Sequence, residues 1–224
     1  MSFRNRTDAG QKLAAALAKY RRQQVTVLAL PRGGVPVAAE VAEVLDAPLD
    51  LVLVRKIGVP FQPELAMGAV VDGAEPVIVR NHDVIAVTGV SEEEFKDACE
   101  RELAEIECRR HHYLAGRSRA PIAGRVAIVI DDGIATGATM RAALQATRMR
   151  KPRKLVLAVP VAPTSTLEDL RGEADELVCL EDYESFGAIG LFYADFHQVS
   201  DDEVIGLLAR YPARPADELK AAQP

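Results

Sequence analysis

Two adjacent carboxylates, Asp131 and Asp132, end the apolar run VAIVI, and a short Thr/Gly segment, Ala135-Thr136-Gly137-Ala138-Thr139, follows at once. Paired acids accept hydrogen bonds from vicinal hydroxyls, and charge-assisted bonds of that kind contribute about 1.5–3 kcal/mol each. A helical pattern begins near Gly137. Backbone amides at a helix start lack intrahelical acceptors and favour a phosphate, which glycine lets approach closely. Acids for a sugar and amides for its phosphate therefore stand side by side. A buried strand whose acids cap the next helix would explain Asp131 and Asp132 but not the spacing of Thr136, Gly137 and Thr139.

Two further segments carry chemistry. Pro31-Arg32-Gly33-Gly34 joins a strand pattern directly to a helical one. Its glycines allow close backbone approaches, and the forked guanidinium of Arg32 suits phosphate oxygens. Arg55-Lys56 ends a second strand pattern and leads into Gly58, Pro60, Phe61 and Pro63. That composition predicts a mobile segment able to close over a reacting centre and exclude water.

In order and type these three segments, with FRNRTDAGQKLAAAL near the start and Pro-Glu-Leu-Ala after the second strand, resemble the type I phosphoribosyltransferases, among them stand-alone bacterial members. The resemblance covers nearly the whole chain. It implies an α/β fold: an open, mostly parallel twisted sheet flanked by helices, with a small hood. It also implies phosphoribosyl pyrophosphate (PRPP) as donor and a small-molecule acceptor, expected to be a nucleobase. Mg2+ is the implied cofactor, held indirectly by Asp131 and Asp132 through ribose hydroxyls or water. The implied roles place Arg32, Arg55, Lys56, Asp131 and Asp132 at the reaction. Residues 135–139 take the 5′-phosphate, and Pro31, Arg32, Gly33 and Gly34 take the pyrophosphate, with a non-proline cis peptide at Arg32–Gly33 or beside it.

The acceptor is less constrained. Where 6-oxopurine enzymes of that family have an acid before Thr-Gly, this chain has Ala135, which disfavours hypoxanthine or guanine. Five of the eleven aromatics (Tyr183, Phe186, Phe192, Tyr193 and Phe196) cluster late in the chain. Phe186, Phe192 and Tyr193 could stack on a base as an acceptor hood, or the group could pack a small subdomain. Phe3, Asn5 and Arg6 are candidates to close over the site, and His197 reads as a surface or packing residue. The alternative function is a non-catalytic regulator that binds PRPP or a nucleotide. No GxxxxGK[ST] sequence is present, which removes the usual P-loop alternative.

The elements that must position these residues alternate between strand and helix patterns, as in a parallel sheet covered by helices. Helices are predicted over 9–23, 35–46, 91–113, from about 137 to about 150 and near 164–171. Strands are predicted over 25–30, 49–54, 68–73, 76–80, 126–130, 154–159 and 176–180. Ser91 and Glu94 form a capping box, Val90 and Phe95 a hydrophobic staple, and Arg109, Arg110, His111 and His112 complement the negative end of that helix.

The 224 residues are expected to form one unit, with its core over about 25–160, a hood from 1–8 and 176–200, and a frayed tail over 212–224. At 49% hydrophobic and 27% charged, the composition is that of an ordinary soluble protein. A net charge of −6 argues against nucleic acid as partner. There is no apolar run long enough for a bilayer and no signal-peptide core, so the cytoplasm is expected and a membrane partner is not. Cys99, Cys108 and Cys179 are too few and scattered for a disulfide framework or structural zinc. A homodimer is common in the resembling family, though no interface is readable.

Overall fold

The computed structural model describes residues 2–73 and 76–211. The predicted tail over 212–224 lies outside the described residues. Five strands form a parallel sheet in the order β2-β1-β6-β7-β8: β1 (Val25–Ala29), β2 (Leu49–Leu51), β6 (Val126–Ile130), β7 (Lys154–Pro163) and β8 (Glu176–Tyr183). Each inner strand is buried on both faces, which is why it reads as an unbroken apolar run. In β6, Val126, Ile128 and Ile130 join one core while Ala127 and Val129 join the other, the two-residue alternation of a pleated strand.

The first core is covered by α1 (Arg6–Ala16), α2 (Gly34–Leu45), α4 (Glu92–Leu114) and α7 (Asp201–Arg210). The second is covered by α5 (Ala138–Met149) and α6 (Thr164–Leu170). The fold is thus the expected α/β class. The first helix starts earlier and stops sooner than the predicted 9–23. Asn5 caps it by accepting from the Asp8 amide at 2.9 Å, and a 3-10 turn, Ala18–Tyr20, replaces its last stretch.

The stretch predicted as one strand over 49–54 serves two sheets. β2 ends at Leu51, and β3 (Val54–Val59) opens a separate antiparallel sheet with β4 (Gln62–Val71) and β5 (Val77–Arg80). Val52 and Leu53 between them are also buried, so the apolar run carries no mark of the change. The expected mobile segment after Arg55 is instead this β3–β4 hairpin, paired from Val54↔Val71 to Val59↔Gln62. β4 pairs antiparallel with β5, as the sequence suggests, followed by the short α3 (His82–Thr88). The capping box at Ser91 and Glu94 is formed on both sides, and Phe95 is buried.

Candidate active site

β1 and β6 are neighbours, but the chain leaves β1 for β2 on one side and returns to β6 on the other. Crevices outside the carboxyl ends of strands open at such a reversal. Here those ends are Pro31-Arg32-Gly33-Gly34 and Asp131-Asp132, tied together by the Leu30 amide donating to the Ile130 carbonyl at 2.9 Å. The glycines have a specific partner. A Cβ on Gly33 would lie 2.0 Å from Asp132 Oδ2, and one on Gly34 would lie 2.8 Å from the Ile130 carbonyl oxygen. Any side chain at either position would therefore push the two loops apart. The cis peptide bond joins Pro31 to Arg32, beside Arg32–Gly33 and so within the expectation.

The two acids have different surroundings. Asp132 is buried, and Arg6 Nε donates to its Oδ2 at 2.7 Å. The same guanidinium donates to the His197 carbonyl at 2.7 Å and lies 3.9 Å above the Phe196 ring. Asp131 is half-buried and accepts from the Asp132 amide at 2.9 Å. Burial, and then the neighbouring Asp132 carboxyl, push the Asp131 pKa well up. Burial also raises Asp132, against the opposing field of Arg6. Arg6 therefore takes one carboxylate, and Asp131 remains facing the crevice.

The turn over 135–139 is built around a glycine at the start of α5. Gly137 sits at φ +77° as the residue before α5, and Ala135, Thr136, Ala138 and Thr139 are exposed around it. Thr166 Oγ1 donates to the Ala135 carbonyl at 2.9 Å, and a Cβ on Gly137 would lie 2.8 Å from Thr166 Cγ2. The positive φ and the close α6 side chain both require glycine. Thr136, Ala138 and Thr139 also form one wall of a cleft of about 620 Å³ that reaches across to Lys56, Arg80 and His82.

The structure divides Arg55 from Lys56. Arg55 lines a small cleft of about 70 Å³ with Pro31, Asp131, Thr139 and Arg109, and Glu102 of α4 holds its Nε at 2.7 Å. Lys56 turns to the larger cleft and pairs with Glu64 at 3.1 Å. Arg32 Nη1 lies 3.6 Å from Asp201 at the start of α7.

The aromatic segment packs against itself. Phe186 stacks on Phe192 at 4.9 Å, Tyr183 lies 4.8 Å from Phe192, and Phe3 lies 5.3 Å from Tyr193. Tyr193 is fully buried and donates its hydroxyl to the Asp132 carbonyl at 2.6 Å. An isolated bridge between Phe3 and Tyr193 joins the start of the described chain to this late aromatic segment. Phe186, Phe192 and Tyr193 thus form a packed cluster behind the acid pair, and none of them lines either cleft. From sequence, Arg109 serves the helix dipole alone. Its place in the crevice is marked only by the spacing of Glu102, Glu105, Arg109 and His112, one stripe of a helix.

Residues 4–197 match the family described as "Phosphoribosyl transferase domain". Two Mycobacterium tuberculosis proteins, from strains CDC 1551 and H37Rv, are each 50% identical over 209 residues, and their names give the phosphoribosyl transferase assignment as provisional. The match takes in 93% of this chain but 46% of theirs, so the chain spans about half the length of those relatives. The crystal structure of TT1426 from Thermus thermophilus is similar at 40% identity and a TM-score of 0.83, over 95% of this chain and 100% of that one. With the match running from before Arg6 through the acid pair and the turn over 135–139, the chain belongs to the phosphoribosyl transferase domain family.

Proposed function

We propose that the chain is a Mg2+-dependent phosphoribosyltransferase that moves ribose 5-phosphate from PRPP to a nitrogenous base or related acceptor and releases pyrophosphate. The observation that carries this reading is the interlock of Gly33-Gly34 with Asp131-Asp132 at the sheet reversal, beside the turn over 135–139. Asp131 accepts hydrogen bonds from the ribose hydroxyls, and the exposed amides of the turn hold the 5′-phosphate. Arg32 and Arg55 lie on the side from which pyrophosphate departs and offset its growing charge. The acceptor attacks the sugar carbon as that bond breaks, and water exclusion protects the cationic sugar from hydrolysis. No covalent nucleophile is required.

The donor set fits Mg2+ bound mainly through substrate oxygens and water. Among the described residues no group of three His, Cys, Asp or Glu could hold a metal, and of the acid pair only Asp131 is without a guanidinium partner. When bound, the ion would neutralise pyrophosphate oxygens. The lack of a carboxylate at Ala135 directs the acceptor search away from hypoxanthine and guanine. Among the described residues no helix is long and apolar enough to cross a membrane, and the cytoplasm is the proposed location. The test combines calorimetric titration of PRPP with Mg2+ and an assay of pyrophosphate release across a panel of bases. Binding with release on at least one base is expected. Binding without release on any base would replace this reading with that of a PRPP-binding regulator.

A further inference from the structure

Three guanidinium groups and the ring of His112 surround the small cleft or the loop above it, and each meets a carboxylate on α4 or α7. Arg55 Nε lies 2.7 Å from Glu102, and Arg109 Nε lies 2.9 Å from Glu105. Arg32 and His112 both lie 3.6 Å from Asp201, which also accepts a hydrogen bond from Tyr113. Glu102, Glu105, Arg109 and His112 are spaced three, four and three residues apart, so they form a single stripe along α4. Arg110 lies off that stripe and donates to Glu107 at 2.9 Å instead. The side chain of Arg109 is two-fifths exposed, and it shares the 70 Å³ cleft with Pro31, Arg55, Asp131 and Thr139.

We propose that α4 is a fourth wall of the leaving-group site: Arg109 binds the departing pyrophosphate, and Glu105 holds that guanidinium in place until the anion displaces it. The inference rests on the phosphoribosyltransferase reading and adds a binding residue from outside the three loops. Exposed ion pairs contribute little, so a polyanion that offers several charged oxygens displaces Glu105 readily. Glu102 does the same for Arg55, and Asp201 for Arg32. An empty site is thus kept near charge neutrality by its own carboxylates. The arrangement sets a direction for each substitution: losing Arg109 weakens pyrophosphate binding, while losing the Glu105 charge strengthens it.

The probe is pyrophosphate with Mg2+, titrated calorimetrically into the full chain, with PRPP in parallel. Arg109→Met should weaken pyrophosphate binding by roughly tenfold or more, the loss of one charge-assisted hydrogen bond. Glu105→Gln should tighten it by up to about fivefold, the release of one exposed ion pair. Arg109→Lys should recover part of the loss, and Arg110→Met should match the wild type. A helix-stabilising role alone would make Glu105→Gln and Arg109→Met move in the same direction, since both break the same pair. If the wild type binds pyrophosphate and PRPP while Arg109→Met is indistinguishable from it, Arg109 is not a ligand and the proposal is overturned. If the wild type binds neither anion, the phosphoribosyltransferase reading itself fails.

Discussion

Asp131 and Asp132 are chemically identical and adjacent, yet the structure gives them separate tasks. Asp132 is spent on Arg6, while Asp131 faces the crevice. Substitutions should separate them. Asp131→Asn should sharply weaken PRPP binding in calorimetry and leave the unfolding midpoint unchanged or raised, because it removes a like charge beside Asp132. Asp132→Asn and Arg6→Met should each lower stability by about 3–5 kcal/mol in denaturant unfolding at pH 7, since each strands a buried charge. Equal stability losses for Asp131→Asn and Asp132→Asn would contradict the division. The acid pair, the turn over 135–139 and the glycine pair stand out in the sequence as candidates because their chemistry is local, and the structure brings them to one sheet reversal. The division between the two acids was not, because it comes from a residue 126 positions away.

At the scale of elements, the loops after β1 and β6 are one piece of packing. Gly33→Ala puts a methyl group where Asp132 Oδ2 already lies, at 2.0 Å. We expect this variant to lose PRPP binding and at least about 1–3 kcal/mol of stability by overpacking; a chain that keeps both would show that the loops part easily. Strands and helices with clear periodicity were readable, including the capping box on α4. The β3–β4 hairpin was not. Its glycines and prolines read as a loose loop, but Gly58 sits where a Cβ would lie 2.4 Å from the Pro63 carbonyl, so the same residues permit close pairing of two strands. The aromatic segment was ambiguous for a comparable reason. A ring stacked on a base and a ring stacked on another ring have the same sequence signature.

The molecule as a whole joins distant segments through ionic ties at the rim of the parallel sheet. Glu176, at the start of β8, accepts from Lys154 and from Tyr20, both at 2.7 Å, and pairs with Lys19 at 2.5 Å. Burial alone would raise its pKa, but the hydrogen bonds from Lys154, Lys19 and Tyr20 overcome this and bring it to about 2. A carboxylate with a lowered folded pKa stabilises fully above its ordinary value of 4.5, and that contribution disappears as pH falls towards 2. Glu176→Gln should therefore cost about 1–2 kcal/mol at pH 7. Its thermal unfolding curve should converge with that of the wild type near the acid limit, whereas a gap independent of pH would rule out the ionic origin.

The bridge between Phe3 and Tyr193 ties the segment that carries Arg6 to the residue that bonds the Asp132 carbonyl, so both of those contacts brace the acid pair from behind. A version trimmed to begin at Thr7 would lack Arg6 and the aromatic latch together, and it should fold poorly whatever base is offered. The same latch gives a spectroscopic handle: Tyr193 lies against Phe3 and reports, through its ring, whether that segment is seated.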